Sequence, residues 1–225
     1  GPCRLAALPN TSPAASGRSD ACSAIQERSD TPHRECRSSP PNATPGSILD
    51  RNALEAAMPG ITHVVHLAAH LGVRRTEIER KQCLDVNIIG TKNIVEIADT
   101  FGVTRIINAS SSEVYGRPEK KKLSENDKTQ GFSVYAIAKL ASEELIKAQC
   151  QISPNSLTGV NLRFFNTFGP YQVAQFVVPK FMSQALAGED LVVNGKGTQI
   201  RSYCYVDDIV EGIISSLNLS LNDSL

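Results

Sequence analysis

Three short apolar runs, at residues 62–67, 105–109 and 158–164, alternate with long segments of helical periodicity at 77–101 and 134–151. Runs of that length suit strands buried on both faces. Strands separated by helix-length connections do not pair as hairpins, and right-handed crossovers lay them side by side in parallel. The fold class that follows is α/β, a doubly wound parallel sheet with helices on both faces. Local signals agree. Asp50 can cap a short helix over 51–58 that Pro59-Gly60 stops, and Leu84, Ile88, Ile94 and Ile97 form a helical stripe ended by Gly102. Beyond Gly169-Pro170 the pattern becomes mixed, with a helix expected at 179–187, a strand at 191–193 and a helix after Tyr205.

Residues 1–46 read differently. They hold seven of the twelve prolines, contain no Val, Phe, Tyr or Lys, and take all five of their basic residues as Arg. With no aromatic residue, only Ile25 and three threonines as β-branched residues for a strand, and no apolar stripe for a helix, the segment is expected to be disordered or non-native-like. The expected organisation is therefore 1–46 as that segment, 47–168 as a nucleotide-binding type of domain, and 169–225 as a smaller lobe.

A formal net charge of zero argues against nucleic acid and anionic membranes as partners. No apolar run reaches membrane-spanning length, and no signal-peptide core is legible at the start. The six cysteines are scattered without a Cys-x-x-Cys spacing, as expected of reduced cytoplasmic thiols. His63 and His66 alternate to opposite faces of a strand, so with His70 they are not expected to share a metal.

The chemistry-bearing motifs fall in one order. His66-Leu67-Ala68-Ala69 precedes Asn87-Ile-Ile-Gly-Thr91. Then come Asn-Ala-Ser-Ser-Ser-Glu-Val-Tyr-Gly at 108–116 and Tyr135-Ala-Ile-Ala-Lys139, and after these Arg163-Phe-Phe-Asn166 and Tyr205-Val-Asp-Asp208. Ser111 lies just past a strand end, where ligands of doubly wound sheets sit. Tyr135 and Lys139 are one helical turn apart and share a face. A phenol with an ordinary pKa near 10 is a poor base at neutral pH, and a nearby ammonium is expected to lower it.

From about residue 46 onward this series resembles the extended short-chain dehydrogenase/reductases, the NAD-dependent nucleotide-sugar epimerases and dehydratases. The resemblance implies a partial Rossmann-type domain with a truncated substrate lobe. It implies Ser111, Tyr135 and Lys139 as catalytic residues, with Glu113 as a further proton-transfer group. Leu67, Ala68, Ala69, Asn87, Ser110, Tyr135 and Lys139 would line the NAD site. Ser111, Asn166 and Arg201 would hold a nucleotide-diphosphate sugar, a guanidinium fork suiting two phosphates. A homodimer is among the assemblies open to such a protein.

The implied reaction is transient oxidation at sugar C4 with Tyr135 as base, giving epimerisation. Glu113 opens the alternatives of decarboxylation of a UDP-glucuronate type of substrate or a sugar 4,6-dehydration. Three departures favour a catalytically inactive fragment instead. No Gly-x-x-Gly-x-x-Gly occurs, Ser47 stands where an Asp often contacts adenine, and the chain stops soon after Tyr205-Val-Asp-Asp208. In the strand order 3-2-1-4-5-6, lacking the first three strands would leave 62–67 as a bare apolar edge.

Overall fold

The computed structural model describes residues 3–5, 7–9, 44–118, 120, 122–193 and 195–219, the first two stretches as backbone only. Strands β1 (Cys3–Leu5), β2 (Ala7–Pro9) and β3 (Thr44–Gly46) come first. Helix α1 (Arg51–Ala57) leads into β4 (Ile61–His66). Next come α2 (Val73–Ile78), α3 (Arg80–Leu84), a π-helical turn at Asp85–Gly90 and α4 (Thr91–Thr100). Strand β5 (Arg105–Ser111) runs into a 3₁₀ turn at Ser112–Tyr115, followed by α5 (Val134–Ile152) and β6 (Thr158–Phe164). The remainder is β7 (Asn166–Phe168), α6 (Val177–Leu186), β8 (Tyr203–Tyr205) and α7 (Val206–Leu217).

The main sheet has the order β2-β4-β5-β6. Strands β4 and β5 are parallel, with His66 opposite Asn108. The Rossmann-type parallel arrangement expected from the alternation is therefore present. The chain separates into two compact units, one of Gly1–Arg163 with Ser216–Leu225, the other of Phe164–Ser215. Among the described residues no helix is long and apolar enough to cross a membrane.

In the larger unit Ile48, Leu54, Val64, Ile94, Ile97 and Ile106 form the heart of the core. Asp50 caps α1 as expected, accepting from the Ala53 amide at 3.2 Å. The approach of Ile48 to the helices depends on Gly90: a Cβ there would meet Ile48 Cδ1 at 2.4 Å.

Four expectations change. The start of the chain is not devoid of regular structure in its described part, since β1 pairs with β3 and β2 pairs with β4, both antiparallel. Residues 10–43, on which most of that expectation rests, lie outside the described residues. Nor is β4 a bare edge, because Ala7 lies opposite Val64 and Leu8 opposite His63. Pairing to an open strand uses backbone groups, so an Ala-Leu-Pro stretch with poor strand composition can still supply it. The register shifts between Leu8 and Pro9, where the ring removes a donor.

The single helix expected over 77–101 is interrupted. Glu79 leaves the helical region at φ −96°, ψ 47°, and the segment at Asp85–Gly90 is π-helical. The extra residue of a π turn re-aims the side chains that follow. Finally, residues 191–193 are not a strand; β8 at Tyr203–Tyr205 pairs in parallel with β7 instead. An apolar triplet marks a strand only when a neighbouring edge is there to receive it, and Leu191, Val192 and Val193 are about half exposed.

Candidate active site

Three elements bring the motif residues together in the larger unit. Strand β5 delivers Ser110 and Ser111 at its C-terminal end, the 3₁₀ turn carries Glu113, and the first turns of α5 carry Tyr135 and Lys139. The start of α5 is fixed by two side chains. Ser133 caps it, accepting from the Ala136 amide at 3.0 Å, and the Glu77 carboxylate accepts from the Val134 amide at 3.2 Å. A helix N-terminus with its amides satisfied holds its first turn in place.

Ser111 caps the 3₁₀ turn, its hydroxyl oxygen accepting from the Glu113 amide at 3.2 Å. The same hydroxyl is near enough to Tyr135 to favour its phenolate form. Lys139 is buried, and its Nζ donates to the Ala109 carbonyl at 2.6 Å. The ammonium lies 5.7 Å from the centre of the Tyr135 ring. Serine, tyrosine and lysine thus form one contiguous set at the end of a parallel strand.

The electrostatics differ from the sequence expectation in one respect. Burial pushes the Tyr135 phenol well above its ordinary value, Glu113 and Cys83 push it further, and only Ser111 acts in the opposite sense. Lys139 lies over the ring and does not offset burial. Burial lowers Lys139 itself to about 8, against an upward pull from Cys83 and Glu143. In the chain by itself, burial favours the neutral phenol of Tyr135 and brings the Lys139 ammonium down to about 8 while leaving it mostly charged at neutral pH.

Glu113 is exposed and accepts from the Ser133 hydroxyl at 2.8 Å. It lines a cavity of about 140 Å³ with Gly116, Arg117, Phe132 and Ser133. Gly116 is required there: its φ is +64°, and a Cβ would meet the Gln130 carbonyl at 2.3 Å. Arg117 is held over the Phe132 ring at 5.4 Å.

Ala68 and Ala69 are buried just after β4 and Leu67 is partly so. Asn87, in the π-helical turn, clamps the loop beyond them. Its Oδ1 accepts from the His70 amide at 3.1 Å and its Nδ2 donates to the His70 carbonyl at 2.9 Å. Ser110 is buried and donates to Glu143, so its hydroxyl belongs to the frame of the site. His66 is buried and pairs through Nε2 with Thr91 Oγ1 at 2.9 Å. Because Thr91 spends its own proton on the Asn87 carbonyl at 2.7 Å, His66 must donate from Nε2 and keep a bare Nδ1. Burial, aided by Lys139, lowers its pKa to about 3.

With this geometry in place, comparison is decisive. The sequence model of the NAD dependent epimerase/dehydratase family matches residues 13–222. The chain belongs to that family. The match begins well before residue 46, inside a stretch where no family motif is legible by eye.

Among relatives in the epimerase/dehydratase family, a UDP-N-acetyl-alpha-D-glucosaminuronate decarboxylase of Bacillus cytotoxicus is 34% identical over 80% of this chain and 58% of its own length. UDP-glucuronate 4-epimerase 4 of Arabidopsis thaliana is 38% identical over 70% of this chain and 37% of its own length. The solved UDP-glucuronic acid 4-epimerase of Bacillus cereus, in complex with UDP-glucuronic acid and NAD, superposes with a TM-score of 0.72 at 29% identity. That match covers 78% of this chain and 55% of the other. The chain thus spans about 37–58% of the length of these relatives.

The two expected diphosphate-binding residues lie in the smaller unit and are neighbours there. Asn166 is opposite Tyr203 across the β7–β8 pair, and its Nδ2 donates to the Ser202 carbonyl at 3.1 Å. Arg201, beside Ser202, is exposed and donates from Nη1 to the Ile200 carbonyl at 2.8 Å. Asn166 lines a cavity of about 240 Å³ with Phe165, Thr167, Gln172, Phe176 and Tyr203. Arg201 is not among its lining residues.

Sequence reasoning passed over Glu143, Tyr115 and Cys83, all of which touch or bias the site. A signal for Glu143 existed. It lies four residues beyond Lys139 and eight beyond Tyr135, on the same helix face.

Proposed function

We propose that this chain carries the proton-transfer centre of an NAD-dependent nucleotide-sugar epimerase/dehydratase reaction, in which a sugar C4 hydroxyl is transiently oxidised. The observation that supports it is the convergence of Ser111 and Tyr135 at the β5 end, with buried Lys139 5.7 Å from the centre of the tyrosine ring. In this reading Tyr135 takes the hydroxyl proton and Ser111 holds the oxygen as it becomes a carbonyl. Lys139 supplies positive charge beneath the phenol, and Asn166 and Arg201 hold the diphosphate of a UDP-type sugar.

The residues present fit NAD at one end. Lys139 has three donors and spends one, on Ala109, which leaves two for the hydroxyls of a bound nucleotide beside Tyr135. Leu67, Ala68 and Ala69 follow β4 with little side-chain bulk at the two alanines, and Asn87 holds the loop that continues from them. Residues for the pyrophosphate are missing from the fit, since no glycine-rich turn of the usual kind occurs in the 225 residues. NAD, when bound, supplies the acceptor for the hydride leaving C4 and a positive charge beside the phenol. That charge matters here, because the chain alone holds Tyr135 protonated. We place this reaction in the cytoplasm, with a homodimer as one assembly open to the protein.

A second reading, decarboxylation of a uronic acid sugar or a dehydration, is favoured by Glu113. Its carboxylate lines the 140 Å³ cavity and raises the phenol's pKa, which supports a role for it in proton transfer at a carbon next to C4. The decarboxylase relative from Bacillus cytotoxicus supports the same direction.

The test is to release and quantify NAD from the purified chain, then assay UDP-glucuronate, UDP-N-acetylglucosaminuronate, UDP-glucose and dTDP-glucose. Epimerised sugar supports the first reading, and carbon dioxide or a 4-keto-6-deoxy product supports the second. Tyr135→Phe is expected to cut turnover by about a hundredfold or more, with folding unchanged. A chain that neither carries nor takes up NAD would be an inactive fragment.

A further inference from the structure

Four side chains from four elements meet behind the catalytic strand end. Arg163, on β6, forks onto Glu143 of α5: Nε donates to Oε1 at 3.0 Å and Nη2 to Oε2 at 2.7 Å. Ser110 of β5 donates to the same Oε1. Arg163 Nη1 donates to the Tyr115 hydroxyl at 3.1 Å and to the Glu125 carbonyl at 3.0 Å. The guanidinium carbon sits 5.0 Å from the centre of the Tyr115 ring. Both oxygens of the carboxylate and all three guanidinium nitrogens are occupied, and the acid is almost wholly buried. A bidentate pair of this kind carries direction as well as energy.

The elements joined are those that hold the reacting groups. Ser110 adjoins Ser111, Tyr115 closes the 3₁₀ turn that carries Glu113, and Glu143 lies one helical turn beyond Lys139 on α5. We propose that Glu143 and Arg163 are positioning residues, pinning the β5 end and the 3₁₀ turn to the helix that carries Lys139. Arg163, in the motif expected to approach the substrate, has its fork spent on the frame of the site. As an aid to catalysis this rests on the reaction proposed above; as a statement about Lys139 it does not.

The charges make the test one of sign. Cys83 and then Glu143 pull the Lys139 pKa upward against burial, and the Arg163 guanidinium paired with Glu143 is expected to offset part of the Glu143 pull. In the chain without ligand, the Lys139 ε-carbon is titrated by NMR in ¹³C-lysine-labelled protein, its resonance assigned by loss in Lys139→Met. Glu143→Gln is expected to lower the midpoint by about half a unit or more, and Arg163→Gln to raise it. If the pair were only packing, both changes would loosen the site and move Lys139 upward toward an ordinary lysine. Movement in the same direction, or none in folded variants, would overturn the proposal.

Glu143→Asp keeps the charge but shortens the reach, which guards against misfolding of the glutamine variant. Its Lys139 midpoint is expected to stay near wild type, and a shift as large as that expected for Glu143→Gln would also overturn the proposal. Where wild-type turnover is measured, Glu143→Asp is expected to lower kcat about tenfold with KM little changed. A wild-type chain without NAD or turnover would defeat the functional reading, and the ligand-free titration would still decide this one.

Discussion

His66 has an imidazole held neutral by its surroundings: buried, donating to Thr91, and near the Lys139 ammonium. Its folded pKa, about 3, lies below the ordinary 6.5, so between those values the unfolded chain binds a proton that the folded chain does not. The stability it contributes is complete above pH 6.5 and is lost as the pH falls toward 3. In urea titrations from pH 7 to pH 4, wild type is expected to lose on the order of 1 kcal/mol per pH unit relative to His66→Gln. Parallel curves would show that His66 is not the titrating group. The imidazole's environment was not legible in the sequence, where a strand histidine is equally at home on a wet face. Tyr135 and Lys139 were legible as a pair because four residues make one helical turn. The direction in which Tyr135 is shifted was not legible, since it depends on burial and on Cys83 and Glu113, brought from other segments.

At the scale of elements, the interrupted helix at 73–100 is the main departure from periodicity. Its apolar stripe is real, yet the π turn at Asp85–Gly90 divides it and turns Asn87 onto the His70 backbone. Gly90 closes that turn and admits the Ile48 side chain, which is 1% exposed and has little room to retreat. Gly90→Ala is therefore expected to cost about 1–3 kcal/mol in denaturant unfolding. Ile48→Val removes the nearest methyl group, so the double variant should recover part of the loss rather than add a cavity penalty to it. Simple additivity would mean that the 2.4 Å approach is relieved elsewhere. Nothing in the local sequence marks Gly90 as a packing glycine, because its partner is 42 residues away in the chain.

The two units of the whole molecule differ in how they are held. The larger has a contiguous apolar core, whereas no described residue of Phe164–Ser215 is fully buried. Local stability follows buried contacts and protected backbone hydrogen bonds. Native-state hydrogen exchange should accordingly show amides of α6 and of α7 up to Ser215 opening at lower free energy than those of β5 and α5. Equal protection throughout would show that the smaller unit is ordered by interactions other than its own core.

By itself the sequence determined the strand–helix alternation, the parallel sheet and the shared helix face of Tyr135 and Lys139, while the choice of Ser111 came from the family resemblance. The first two are written in short apolar runs between helix-length segments, and the third in a turn of helix every four residues. Only the tertiary structure decided that β2 covers the edge of β4, that Arg163 serves Glu143, and that burial raises the Tyr135 phenol above its ordinary value. These depend on which distant segments come together and on how much water they exclude, and neither is a property of any local stretch of sequence.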